Sequence, residues 1–389
     1  MIQCKHCNNF NPDNAKFCGR CGKTLEQANQ GMGQPASSSD RKRSSFIDSL
    51  NDYVGSDRPA DLNWKVLFTD VFKSHTQEEA ENIFICGTRS TTPSLSEVMK
   101  GWPRPWLYSR VLILFVVTYT LLWVCVNAFG NSNALPGMIV MGSFAFPLAI
   151  MVLFVEVNAW RNVSFYQVVK IFFVGGCASL VATLLLFSLF EVNQLDYVGA
   201  FTVGIIEETG KAIIVYVFLK KLSEKMNILS GLVVGAAVGA GFAAFESAGY
   251  ALQPVINFFQ LYGFAVSQGQ LLDPKEMLTA INQSIIARGF LAPGGHVAWA
   301  AISGAGLVLA AKTQGRLSAS VFVDGKFLRL FIISVVLHGL WDCPLADELN
   351  NVFPFAGYIA LIVMVWIVVL LLINMGLAEV SKASQQELY

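Results

Sequence analysis

Charge is what this 389-residue chain has least of. Only 14% of its residues are Asp, Glu, Lys or Arg, against about a quarter in a soluble domain of this size, and Lys+Arg (27) balance Asp+Glu (27). A zero net charge with no basic surplus gives no reason to expect nucleic acid as a partner. His is scarcer still, at 4 residues, so each one carries information. There is no HExxH metalloprotease motif and no internal inverted repeat of the kind carriers show. The N-terminus, Met1-Ile2-Gln3-Cys4, has no apolar core and is not expected to be a signal peptide.

In place of charge the chain has apolar length: 54% hydrophobic residues, 29 Phe and a mean hydropathy of +0.52. The excess is uneven. The first hundred residues are polar, and nearly everything after Trp106 is apolar. A membrane helix needs ~20 mainly apolar residues. Spans are expected near 106–128, 135–156, 165–190, 196–219, 227–252, 285–311, 327–345 and 355–377. The fold class is therefore an all-α polytopic membrane protein of about eight transmembrane helices, with a small N-terminal zinc ribbon. Segment 253–284 is the longest connection between spans and is expected as a loop with a short surface helix.

Lys and Arg set the orientation. Lys100, Arg104 and Arg110 precede the first span; Arg161 and Lys170, Lys220, Lys221 and Lys225, then Lys312, Arg316, Lys326 and Arg329 fill the even connections. The odd connections hold only Lys275. Both termini are thus expected in the cytosol, including the C-terminal tail 379–389.

Cysteine usage agrees. Cys4-x-x-Cys7 and Cys18-x-x-Cys21, with ten residues between the pairs, can close four thiolates around a structural Zn²⁺ in residues 1–24. Four cysteines leave no position open for chemistry, so the module is structural, or a docking point for a cytosolic partner. Cys86, Cys125, Cys177 and Cys343 are scattered and form no disulfide framework. Residues 25–60 read as a flexible linker. Residues 61–104 form a juxtamembrane segment in which Trp64, Leu67, Phe68, Val71 and Phe72 have amphipathic helix spacing. That helix lies on the membrane or packs as a small soluble element.

Charges inside the apolar spans are costly, roughly 2.5–3.5 kcal/mol each on insertion scales, and mark function. The fourth span holds Glu207-Glu208-x-x-Lys211, where Lys211 is in reach of both carboxylates and one of them stays available for chemistry. The fifth has Gly231, Gly235 and Gly239 at four-residue spacing, a helix-packing stripe, and Glu246 on the same face. The sixth has Arg288 and Gly294-Gly295-His296, and the seventh has His338 and Asp342 one turn apart. Glu207, His296 and His338 each lie ~16 Å into their spans. Asp342 lies a turn further out and Glu246 nearer the outer surface. Structural readings compete throughout: salt bridges, interhelical hydrogen bonds, a buried His–Asp pair.

Glu207-Glu208-x-x-Lys211, Phe242-x-x-x-Glu246 and His338-x-x-x-Asp342, in this order on successive spans, resemble the PrsW family of intramembrane proteases, and Arg288 and His296 fit between them. That family is similar to the CAAX prenyl endopeptidases (EExxxR, FxxxH, HxxxN/D). This chain differs from them in its Lys211 and in Glu246 where they have His. The resemblance covers roughly 105–375, within an expected eight-helix membrane domain of 105–378. It implies a multi-pass protein of the bacterial cytoplasmic membrane that cuts a membrane-protein substrate, such as an anti-sigma factor, on the extracytoplasmic side. The implied site is Glu207, Glu208, Lys211, Glu246, His296, His338 and Asp342. The favoured mechanism is a glutamate protease: Glu207 or Glu208 activates water, His338 with Asp342 or else His296 stabilises the oxyanion, and Glu246 holds the water. The alternatives are a zinc protease with ligands among Glu208, Glu246, His338 and Asp342, and, in another class, a proton-coupled carrier.

Overall fold

The computed structural model describes residues 2–3, 10–11 and 45–387, apart from 89, 99–100, 191, 193, 223–225, 271, 346–347 and 349–354. The chain divides into two units, Met1–Ser44 and Ser45–Tyr389. In the first, β1 (Ile2–Gln3) pairs antiparallel with β2 (Phe10–Asn11), Ile2 opposite Asn11. Cys4, Cys7, Cys18 and Cys21, and residues 25–44, lie outside the described residues.

The second unit is helical. Residues 46–54, expected as linker, form α1 (Phe46–Val54), which starts on a capping box between Ser45 and Asp48 and stops at Gly55 in the left-handed region (φ 86°). Local capping overrides the polar composition there. α2 (Gln77–Ile85) uses the same device, Thr76 with Glu79. Between them the expected amphipathic helix shrinks to a 3₁₀ turn, Trp64–Phe68. Leu67 turns inward (4% exposed) while Trp64 and Phe68 turn outward, so the apolar positions do not share one face.

α3 (Leu107–Asn127) follows. Its first turn is capped by a side chain of the next helix, α4 (Leu135–Val157). Glu156 accepts the backbone N–H groups of Trp106 and Leu107 (both 2.8 Å) and of Tyr108 (2.9 Å). A carboxylate on three otherwise orphan donors also complements the positive end of the helix dipole. α5 (Phe165–Lys170) and α6 (Gly176–Phe187) form one rod joined by a π turn, Ile171–Gly175. Then come α7 (Tyr197–Lys220), α8 (Ile228–Ser267), α9 (Pro274–Leu291), α10 (His296–Gln314), α11 (Gly325–Asp342) and α12 (Ala356–Glu387). α12 includes most of what was expected as a tail.

Among the described residues, six helical rods are long and apolar enough to cross a membrane: Leu107–Asn127, Ser132–Val157, Phe165–Phe187, Ile228–Ser267, Pro274–Gln314 and Ala356–Gln386. The chain is a multi-pass membrane protein. The two other expected spans are α7 and α11, and both are helices at the expected positions. They carry Glu207, Glu208 and Lys211, and Lys326, Arg329 and Asp342, which make them less apolar than the six rods. Both pack inside the bundle, α7 against α6, α8, α10 and α11.

Two departures shape the site. Segment 253–284 is not a loop: α8 runs for 40 residues to Ser267 and α9 begins at Pro274. Pro254 lies inside α8 without ending it, because Val255 packs with Met277 and Leu278 of α9 in a second apolar cluster. The expected sixth span is broken: a 3₁₀ turn, Ala292–Gly294, and then Gly295 separate α9 from α10. α8 and α10 form the most intimate pair. A Cβ at Gly235 would sit 2.1 Å from the Ala300 carbonyl oxygen, and one at Gly239 2.2 Å from that of His296. Only glycine admits this approach, and it brings the two backbones together at the level of His296.

Candidate active site

The site begins with a fully buried cation. Lys211 on α7 is 0% exposed. Its Nζ lies 2.7 Å from Glu208 Oε1, 3.4 Å from Glu207 Oε2 and 2.8 Å from His296 Nδ1, and 4.3 Å above the Phe242 ring. Both carboxylates of the Glu-Glu pair therefore face Lys211, as the i, i+3 and i, i+4 spacing requires, and the shorter contact is to Glu208.

The two histidines are held alike. His338 Nδ1 lies 2.9 Å from Glu208 Oε1, and its Nε2 points at Glu207 Oε2 (3.7 Å) and Asp342 Oδ2 (3.3 Å). The His338 ring stacks on Trp299 (4.4 Å between centroids, 20° apart). His296 Nε2 lies 3.0 Å from Glu246 Oε2, and its Nδ1 faces Glu207 Oε2 at 3.8 Å. Glu246 is in turn paired with Arg288 Nη2, while Arg288 Nε donates to Ser247 Oγ at 2.9 Å. Each imidazole thus has one nitrogen on a backing carboxylate, and the other within 3.8 Å of Glu207 Oε2 but nearer to Lys211 Nζ at His296 (2.8 Å) and to Asp342 Oδ2 at His338 (3.3 Å).

All seven residues named from the sequence meet in this one network, from α7, α8, α10 and α11. Glu246 is not displaced outward from the rest, because the α9–α10 break starts a new helix at His296 beside it. Ile228 to Glu246, and Gln314 back to His296, are each ~27 Å of helix rise, while Lys220 back to Glu207 and Gly325 to His338 are ~20 Å. Arg288, which the sequence placed between the motifs, joins the network through Glu246. Ser247, Tyr250 and Trp299 were not expected to take part; Trp299 stands three residues after His296, and spacing flags it only once the break at 292–295 is known.

The cluster floors a cavity of about 540 Å³, whose walls include Tyr250, Ala287, Leu291, Trp341 and Tyr358. Glu207, Glu246, His296, His338 and Asp342 line it; Glu208 does not. Glu208 is 0% exposed, and its Oε2 has no hydrogen-bond partner among the described residues. This division sets one glutamate at the cavity and the other behind it.

Charge counting sharpens the picture. Glu207, Glu208, Glu246 and Asp342 bring four carboxylates, and Lys211 and Arg288 two cations. With neutral imidazoles two negative charges stay uncompensated in a site where each costs several kcal/mol. Protons on the carboxylates or imidazoles, or a dication among them, would balance that charge. Glu207, His296 and His338 can each offer one ligand atom with all three atoms within 4.8 Å of one another. One carboxylate and two imidazoles make a catalytic zinc set, and a carboxylate on the far nitrogen of each ligating His is the usual supporting shell. The residues fit a metal ion. The set differs from the one expected, Glu208, Glu246, His338 and Asp342: Glu208 and Glu246 sit on the far nitrogens of the histidines.

A polar centre of this kind, sunk in a bundle of apolar helices under a cavity, marks a membrane protein with a buried polar site. Residues 163–372 match the family model described as PrsW family intramembrane metalloprotease, and the match covers more than half of the chain. The chain belongs to that family. No curated protein and no solved structure matches it.

Proposed function

We propose that the chain spans the membrane eight times, α7 and α11 included, with its termini in the cytosol, and hydrolyses a peptide bond of a membrane-protein substrate near the extracytoplasmic face. The observation that carries this is the pair of carboxylate-backed histidines turned on Glu207 at the floor of the cavity. Glu207 Oε2, His296 Nδ1 and His338 Nε2 are the atoms that would hold a divalent ion. Such an ion supplies Lewis acidity toward a carbonyl oxygen and a water.

The protein's own groups do the rest. Glu208, neutralised by Lys211, fixes the His338 ring; Glu246, neutralised by Arg288, fixes His296. Asp342 lines the cavity at the His338 side with no cationic Lys or Arg paired to it among the described residues. It takes the proton from the attacking water as the new C–O bond forms, and returns it to the amine as the C–N bond breaks. The cavity walls exclude bulk water and hold an unwound stretch of substrate.

The metal-free reading keeps the same residues with different roles: Glu207 becomes the base and a doubly protonated His338, between Glu208 and Asp342, the oxyanion partner. The Lys211 ammonium against both Glu207 and His296 favours it. The charge deficit and the family description favour the metal. Proteolysis itself is tested by comparing uncut membrane proteins in cells expressing wild type or Glu207→Ala/Glu208→Ala. Accumulation of specific uncut proteins in the variant is expected. Identical membrane proteomes, with proton flux in vesicles instead, would favour a carrier.

A further inference from the structure

Phe72 is 94% exposed, and Trp64 and Phe68 are 54% and 56% exposed, in a segment that is otherwise well tied down. Tyr108 Oη donates to the Leu67 carbonyl at 2.9 Å, and Arg110 Nη2 to the Lys73 carbonyl at 3.0 Å. Both donors belong to the first turn of α3. The three aromatics are thereby held at the end of an apolar rod that crosses the membrane.

The patch continues a lipid-facing stripe. Arg110, Leu114, Val117 and Leu121 lie on one face of α3 at i, i+4, i+7 and i+11, and Leu114, Val117 and Leu121 are 62%, 51% and 61% exposed. Arg110 joins the foot of that stripe to the residue after Phe72. Cations ring the aromatics. Lys65 Nζ lies 5.9 Å from the Trp64 ring centre, and Lys65, Arg104 and Arg110 are all exposed. Of the acids near in sequence, Asp61 accepts from Trp102 Nε1 at 3.1 Å and Asp70 is paired with Lys73 at 2.7 Å; Lys73, with a smaller contribution from Arg104, holds the Asp70 carboxyl below the usual range. Water is a poor neighbour for three large rings, and a bilayer interface suits rings beside cations.

We infer that Trp64, Phe68 and Phe72 form an interfacial anchor that inserts into the leaflet at the N-terminal end of α3, with Lys65, Arg104 and Arg110 on anionic lipid headgroups. The chain between the N-terminal unit and the membrane domain is then tied to the lipid surface as well as to α3.

The test uses the full-length chain in vesicles of mixed phosphatidylcholine and phosphatidylglycerol, with the photoreactive p-benzoylphenylalanine in place of Phe72. A side chain this exposed can be replaced without disturbing packing. Illumination should give lipid adducts, with phosphatidylglycerol enriched about fivefold over its mole share. The enrichment should fall to the mole share in Lys65→Gln/Arg104→Gln/Arg110→Gln. Absence of lipid adducts, or adducts to a protein chain instead, would overturn the anchor. Enrichment that survives removal of the three cations would overturn the headgroup contact.

Discussion

Lys211 holds the centre together because it touches Glu207, Glu208 and His296 at once from a fully buried position. Replacing it by Met leaves Glu208 charged and unpaired in the core. Lys211→Met should lower stability by about 3–5 kcal/mol, read as a drop in Tm in detergent. Glu208 acts through His338, so Glu208→Gln should fold and weaken metal binding by roughly 10–100-fold. Asp342 is assigned the proton transfer and no part in holding the ion. Asp342→Asn should keep the metal and lose about 10²–10⁴-fold in cleavage, whereas His338→Ala should lose both. An Asp342→Asn enzyme that cleaves normally would remove Asp342 from the mechanism. At this scale the sequence was informative. Charges in apolar spans are rare enough to stand out, and all seven meet. What spacing could not give was the division of labour. Glu207 and Glu208 are adjacent in sequence, and only the positions of α8, α10 and α11 decide which one faces the cavity.

Among the elements, the α8–α10 contact determines where His296 and Glu246 meet. Gly235→Ala forces a methyl group against the Ala300 carbonyl and should cost about 1–3 kcal/mol. Gly239→Ala pushes on the His296 carbonyl itself and should also depress cleavage. Gly263→Ala, on the same helix where a Cβ meets nothing within 4 Å, should instead stabilise by up to about 1 kcal/mol. Equal effects at the three positions, measured by thermal unfolding, would mean that the close approach is not what stabilises the pair. The glycine stripe was legible because four-residue spacing is a direct signature of helix contact. The break before His296 was not, since Gly294-Gly295 also suits a continuous membrane helix. Nor was the length of α8: a span was expected to end near 252, and the helix instead runs on past Pro254 to Ser267.

For the whole molecule, hydropathy located the apolar rods; it missed the helical 253–284 segment, the shortened Trp64–Phe68 turn, the break at 292–295 and the helical tail, and it missed α1, which local capping starts and stops. α7 and α11 illustrate why composition alone undercounts the helices that matter. Glu207, Glu208, Lys211 and Asp342, which build the site, are among the charges that lower the hydropathy of these two helices, and partners in the network offset the cost of burying them. The central claim is that this polar core holds a divalent ion on Glu207, His296 and His338. It is tested by metal analysis of full-length wild type beside His296→Ala/His338→Ala, purified identically, with cleavage of one trapped substrate followed in parallel. The account predicts one equivalent more metal in the wild type, and loss of cleavage in the variant and in chelated wild type. Equal metal content in the two proteins, with cleavage that survives chelation, would contradict it and leave Glu207 as a metal-free base.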